Sequence, residues 1–104
     1  MNKKAIVNAY DSYLFAKKAM TSRKWVYPEE KDVLEILSVL SESCQRKVFT
    51  FREIAFVSSC LFCEGDHEVL KLLHSAEEHG KVISFGLRDT DTKWKLVPME
   101  KDNK

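Results

Sequence analysis

The hydrophobic pattern of this chain changes its period at Gly80, and that change constrains the fold more than any other feature. Before Gly80, apolar residues recur every three to four positions, which is the spacing of one face of an α-helix. After it, Ile83, Phe85 and Leu87 alternate with smaller residues, and residues 94–97 alternate again. Two such runs around a polar turn indicate a β-hairpin, so the pattern predicts a mainly α chain with a small β-hairpin.

One helix is predicted before residue 27 and a second helix after it. Residues 3–24 contain no Gly or Pro, and their apolar side chains recur at helical spacing, which predicts an N-terminal amphipathic helix. Pro28 suits the first turn of a second helix, because an N–H at that position would have no partner within the helix. Acidic residues follow Pro28 and complement the positive end of the helix dipole. The predicted buried face of this helix comprises Val33, Ile36, Leu37, Leu40 and Cys44.

Capping chemistry marks the ends of two further helices. Thr50 and Glu53 have the capping-box spacing, so a third helix is expected to begin near Phe51, after a short β-prone piece. Gly commonly follows a helix end, so a fourth helix is expected to run from Asp66 to Gly80. The predicted core of these helices and of the hairpin comprises Ile54, Ala55, Val69, Leu70, Leu73, Ala76, Ile83 and Phe85.

The length of 104 residues predicts one core, because two cores would each be too small to be stable alone. We expect three parts: an N-terminal helix and linker over residues 1–27, a single domain over residues 28–98 and a disordered tail over residues 99–104. Six Phe, three Tyr and two Trp can bury enough surface to offset the loss of chain entropy on folding. The chain is therefore expected to fold rather than to remain disordered.

The sequence carries no arrangement typical of an enzyme. It has no Gly-rich phosphate loop and no G-x-S-x-G motif, and three Gly in all leave little room for a cofactor loop. No apolar run approaches the roughly 20 residues that span a bilayer, and the N-terminal stretch is too polar for a secretory signal. An odd number of cysteines fits a reducing compartment. We expect a cytoplasmic protein with no catalytic activity, no cofactor and no membrane partner.

One weak metal-binding pattern is present. Cys60, Cys63 and His67 form C-x2-C-x3-H, in which two thiolates and an imidazole can reach one tetrahedral zinc ion. No second close pair supplies the fourth ligand, which Cys44, His74 or His79 could provide only where the fold brings one of them close. The sequence therefore predicts no metal site, and a zinc- or thiol-sensing regulator stays as an alternative.

The order from residue 28 onward, with helix, short strand, two helices and hairpin, resembles the winged helix-turn-helix superfamily. The segments FTFREIA (49–55) and VLKLLHSAEEHGKVISF (69–85) carry the resemblance. The first is similar to the opening of the second helix of that superfamily, and the second to its recognition helix and first wing strand. The resemblance implies a winged helix-turn-helix fold over residues 28–98, preceded by the N-terminal helix, and a small transcriptional regulator that binds double-stranded DNA.

The distribution of charge favours DNA binding in the loops and the hairpin but opposes it on the fourth helix. The candidate DNA contacts are Arg46, Lys47, Arg52, His67, Lys71, Arg88, Lys93 and Lys95. Residues 66–80, which would include the recognition helix, carry four acidic residues against Lys71 alone. DNA phosphates repel carboxylates, so an alternative function is a protein interaction module that docks through the acidic fourth helix or the aromatic first helix.

The apolar side chains of the first helix wrap more than half of its circumference. A helix with so wide an apolar arc is normally buried by more than one neighbour, and a twofold pair is the commonest way to supply the second. We therefore expect a homodimer. Its predicted interface comprises Ile6, Tyr10, Tyr13, Leu14, Phe15 and Met20.

Overall fold

The fold is taken from a computed structural model, which describes residues 3–15, 27–62, 66–86 and 92–97. These residues form four helices and a small antiparallel sheet of three strands, which confirms the predicted mainly α class with a hairpin. The elements are α1 (Lys3–Phe15), α2 (Glu30–Cys44), β1 (Val48–Thr50), α3 (Phe51–Leu61), α4 (Asp66–Glu78), β2 (Val82–Phe85) and β3 (Lys93–Leu96). Within these ranges, no helix has the length and apolar character needed to cross a bilayer.

The predicted capping chemistry is present at the start of α3 and at the end of α4. The backbone N–H of Glu53 donates to Thr50 Oγ1 at 3.2 Å, and the N–H of Thr50 donates to Glu53 Oε1 at 2.8 Å. These reciprocal bonds satisfy two backbone donors and fix the start of α3. After α4, Gly80 adopts a φ of 73°, and the N–H of Lys81 donates to the carbonyl of Ala76 at 2.9 Å. Gly80 therefore ends α4 in a Schellman motif, which requires a left-handed residue.

The second helix begins two residues after Pro28, where Asp32 Oδ2 accepts a hydrogen bond of 2.8 Å from the Glu29 backbone. The prediction that Cys44 belongs to its buried face is wrong, because Cys44 is exposed. Cys44 lies in the last turn, just before Gln45 turns the chain away with a φ of 53°. The helix buries Val39 in addition to the four other predicted residues.

The three strands pair antiparallel in the order β1-β3-β2. The hairpin predicted after Gly80 is formed by β2 and β3, with Ser84 opposite Trp94. The strand that precedes α3 joins the same sheet, with Phe49 opposite Trp94 on the other side of β3. Trp94 therefore lies at the centre of the sheet, where it is fully buried.

The predicted burial of Ile83 and Phe85 is wrong: 41% of Ile83 and 44% of Phe85 are exposed. An alternating pattern shows which residues share a face of a strand, but it does not show which face the helices cover. Here the helices cover the face that carries Val82 and Trp94. Ile83 and Phe85 consequently point away from the core.

The first helix belongs to the core of its own chain. Ile6 and Tyr10 are 0% and 3% exposed, and α1 packs against both α2 and α3. The predicted dimer interface is therefore corrected at these two positions, because neighbours within the chain cover them. Leu14 and Phe15 are exposed, Tyr13 is half-buried against the ring of Phe56, and Met20 lies outside the described residues.

Candidate nucleic-acid interface

One face of the sheet carries no helix within the described residues. Side chains alternate along each strand, so the neighbours of Phe49, Val82 and Trp94 point away from the core. They form two rows across the sheet, because Lys95 lies between Val48 and Ile83, and Lys93 lies between Thr50 and Phe85. We call this surface the outer sheet face. Its six residues are Val48, Thr50, Ile83, Phe85, Lys93 and Lys95.

The outer sheet face is cationic at its centre. Lys93 and Lys95 both belong to the middle strand, two residues and therefore about 7 Å apart. None of the six positions is Asp or Glu. Two further predicted contacts lie at the ends of β1: Lys47 directly precedes the strand, Arg52 lies in the first turn of α3, and both are exposed. The structure therefore places four of the predicted DNA contacts on or beside one sheet face.

The fourth helix has the opposite charge. Among the side chains described on α4, Lys71 and Glu78 are exposed, and Glu68 and Glu77 are partly exposed. Glu77 accepts a hydrogen bond of 2.7 Å from Ser84, which ties α4 to β2. One lysine against three carboxylates gives this helix an acidic surface, which a DNA phosphate would not favour. The side chain of His67 and all of Arg88 lie outside the described residues.

Arg46, another predicted DNA contact, already has an anionic partner. Its guanidinium pairs with the Glu53 carboxylate, donates to Tyr10 Oη at 2.6 Å and lies 4.5 Å from the centroid of the Phe49 ring. Tyr10 also donates a hydrogen bond to Glu53. The pair joins the loop after α2 to α3, while Tyr10 joins α1 to α3 at the same carboxylate. Because Glu53 neutralises the charge of Arg46, a phosphate would have to compete with this partner, and the DNA contact at Arg46 stays a prediction.

The same cluster shifts the protonation equilibria of its members. Burial favours a protonated Glu53, but hydrogen bonds from Tyr10, the Thr50 backbone and Arg46 outweigh burial and hold the pKa of Glu53 below its ordinary value. Burial, together with the Glu53 carboxylate, raises the pKa of Tyr10 above its ordinary value. The folded chain therefore keeps Glu53 ionised and Tyr10 protonated at neutral pH.

A second polar cluster surrounds Glu30 at the start of α2. Ser75 donates to Glu30 Oε1 at 2.8 Å, His79 Nδ1 lies 3.1 Å from the same oxygen, and Lys81 Nζ lies 3.3 Å from Oε2. The hydrogen bonds from Ser75, His79 and Lys81 lower the pKa of the Glu30 carboxyl. This cluster ties α2 to the end of α4. It also means that Lys81 is already paired and adds little to a phosphate-binding surface.

The metal-binding pattern gains no support from the described residues. No group of three or more His, Cys, Asp or Glu among them could hold a metal ion. Cys60 is half-buried in α3, whereas Cys63 lies outside the described residues, as does the side chain of His67. The zinc- or thiol-sensing alternative therefore stays a prediction.

Comparison with known proteins adds no family to these observations: none of the family models, curated proteins or solved structures that were compared matches the chain. The candidate interface thus depends on the geometry alone. Sequence reasoning found its lysines but missed Val48, Ile83 and Phe85, which it treated as strand or core residues. The alternation of side chains along a strand was the available signal. Lys93 and Lys95 flank Trp94, so they lie on the opposite face of the sheet from a residue that is expected to be buried.

Proposed function

We propose that this chain is a small winged helix-turn-helix protein that binds double-stranded DNA as a homodimeric transcriptional regulator. The order of its elements supports the fold, since a helix and a strand precede two further helices and a hairpin. The sheet order supports it too, because the strand before α3 pairs with the hairpin through β3. In this arrangement α3 and α4 correspond to the helix-turn-helix, and β2 and β3 correspond to the wing.

The observation that carries DNA binding is the cationic outer sheet face with its flanking residues. Lys93 and Lys95 lie on the middle strand, with Lys47 and Arg52 at the ends of β1 and no carboxylate on the face. Cations at such positions hold phosphates, which contribute affinity but carry no sequence information. The acidic surface of α4 makes a poor partner for a major groove. We therefore expect affinity to depend on the sheet more than on α4.

Replacing Lys93 and Lys95 together with alanine is expected to weaken duplex DNA binding equally at all sequences. Each phosphate contact contributes about 0.9 to the slope of log affinity against log salt, so the slope should fall by about 1.8. A salt series by fluorescence anisotropy measures this change. The matched control removes two exposed lysines elsewhere, Lys3 and Lys31, and should leave the slope unchanged. Absence of any wild-type affinity at low salt, or an equal effect of the control, would contradict the proposal.

The homodimer is proposed to form through the end of α1, where 51% of Leu14 and 63% of Phe15 are exposed. Sedimentation equilibrium of the wild type should give twice the chain mass at micromolar concentration. Leu14→Glu should return it to monomer, because an unpaired carboxylate is costly to bury. Ser43→Glu is the control, since it lies beside Glu42, which pairs with Lys3 at the other end of α1. A wild type that stays monomeric at high concentration would contradict the dimer.

A further inference from the structure

The outer sheet face combines its two lysines with apolar side chains in a repeated arrangement. Phe85 lies opposite Lys93 and Ile83 lies opposite Lys95, so each row pairs one cation with one exposed apolar group. The two rows are separated by two residues, or about 7 Å along the strands. Side chains directly opposite each other in an antiparallel pair have Cβ atoms about 5 Å apart. A ligand that lies along the strands would therefore contact two successive sites, each of which combines one lysine with one apolar side chain.

The position of the lysines indicates what kind of ligand suits this face. Lysine is depleted at the centres of protein–protein interfaces, where apolar and aromatic groups predominate. Here Lys93 and Lys95 belong to the central strand, while Phe85 and Ile83 lie on the edge strand β2. A cationic centre without a carboxylate matches a polyanion better than it matches the apolar surface of a protein.

Phosphate binding alone leaves Phe85 unexplained. In a duplex the bases already stack on each other, so they offer no free π-face to an exposed aromatic ring. Proteins that bind unpaired nucleotides combine backbone-tracking cations with aromatic side chains on which the bases stack. Phe85 is 44% exposed and lies beside Lys93, which is the arrangement that such a contact needs.

From these observations we infer that the outer sheet face binds two unpaired nucleotides, with a base stacked on Phe85, Ile83 against the next base and the phosphates at Lys93 and Lys95. This inference rests on the proposed function, because both use the same lysines to hold phosphates. It adds a preference for DNA that carries an unpaired segment beside its duplex. A sequence-independent duplex contact would show no such preference.

The test compares three DNA hairpins by fluorescence anisotropy at one salt concentration. One hairpin is blunt, one carries a tail of about four thymidines, and one carries a tail of the same length made of abasic sites. Stacking contributes about 1–3 kcal/mol per base, so the thymidine tail should strengthen binding about 5- to 140-fold over the blunt hairpin. The abasic tail supplies the same phosphates without bases and should lose most of that gain.

Two substitutions separate stacking from general apolar contact. Phe85→Tyr keeps an aromatic ring and should retain the preference for the thymidine tail. Phe85→Leu keeps apolar surface without a ring and should abolish the preference while the salt slope stays unchanged. Because Phe85 is partly exposed, thermal unfolding of both variants should match the wild type, which shows that they fold.

The outcomes distinguish this inference from the proposed function. Equal binding of blunt and tailed hairpins would overturn the inference and leave duplex binding intact. A tail preference that survives Phe85→Leu would overturn it as well, because the contact would then be apolar and not stacked. Absence of binding to all three hairpins would overturn both proposals and would favour a protein partner for this face.

Discussion

Replacing Glu53 with alanine is expected to lower the free energy of unfolding by about 3 kcal/mol, as measured by urea denaturation at neutral pH. Glu53 is 7% exposed, and its carboxylate accepts hydrogen bonds from Tyr10, from Arg46 and from the backbone of Thr50. Removing the carboxylate leaves these donors without their acceptor, removes the hydrogen bond between α1 and α3 and abolishes half of the capping box. Because Arg46 remains partly in solvent, the loss should stay below that of a fully buried pair.

The control is Glu42→Ala, which removes a carboxylate of the same size from an exposed ion pair with Lys3. Exposed pairs contribute about 0–1 kcal/mol, so this variant should unfold close to the wild type. A Glu53→Ala variant no less stable than the control would show that the cluster around Glu53 contributes nothing to folding.

The effect of Glu53 should depend on pH in a defined direction. The pKa of Glu53 is lowered in the folded chain, so its contribution is fully present above the unfolded value of about 4.3. That contribution is lost as the pH falls through the lower, folded value. The difference in stability between the wild type and Glu53→Gln should therefore shrink below about pH 4. Comparing the two proteins removes the separate acid response of Glu30, whose pKa is also lowered.

The sequence predicted the parts of this fold that local chemistry determines. The capping box of Thr50 and the glycine after α4 fix two helix ends through contacts within a few residues, and both ends are where they were expected. The hairpin was predicted for the same reason, because its period is visible in consecutive residues. Local patterns of this kind require no knowledge of the tertiary fold.

The features that sequence reasoning missed depend on distant partners. The bond between Tyr10 and Glu53 joins residues 43 positions apart, and no local signal points to it. From the sequence, Arg46 is one cation of a basic loop, and its pairing with Glu53 becomes visible only in the folded chain. The outward orientation of Ile83 and Phe85 depends on which side of the sheet the helices occupy. Each of these features is determined by tertiary packing, which residue propensities and sequence spacing do not specify.

The central tryptophan of the sheet should be the most sensitive apolar position of the chain. Trp94 is fully buried between the strands and the helices, and its ring meets His74 edge-on with the centroids 5.5 Å apart. Trp94→Ala removes the side chain that both β1 and β2 flank, so it should lower the free energy of unfolding by about 3–5 kcal/mol.

Trp94→Phe separates lost volume from lost aromatic character at this position. The indole Nε1 of Trp94 is buried with no hydrogen-bond partner among the described residues, so phenylalanine removes an unsatisfied donor while it keeps most of the apolar contact. This variant should therefore lose much less stability than Trp94→Ala. Lys95→Ala, the neighbouring outward position, should change stability by less than about 0.5 kcal/mol. A Trp94→Ala variant as stable as Lys95→Ala would contradict this prediction. It would show that packing of the helices, and not of the sheet, accounts for the stability of the fold.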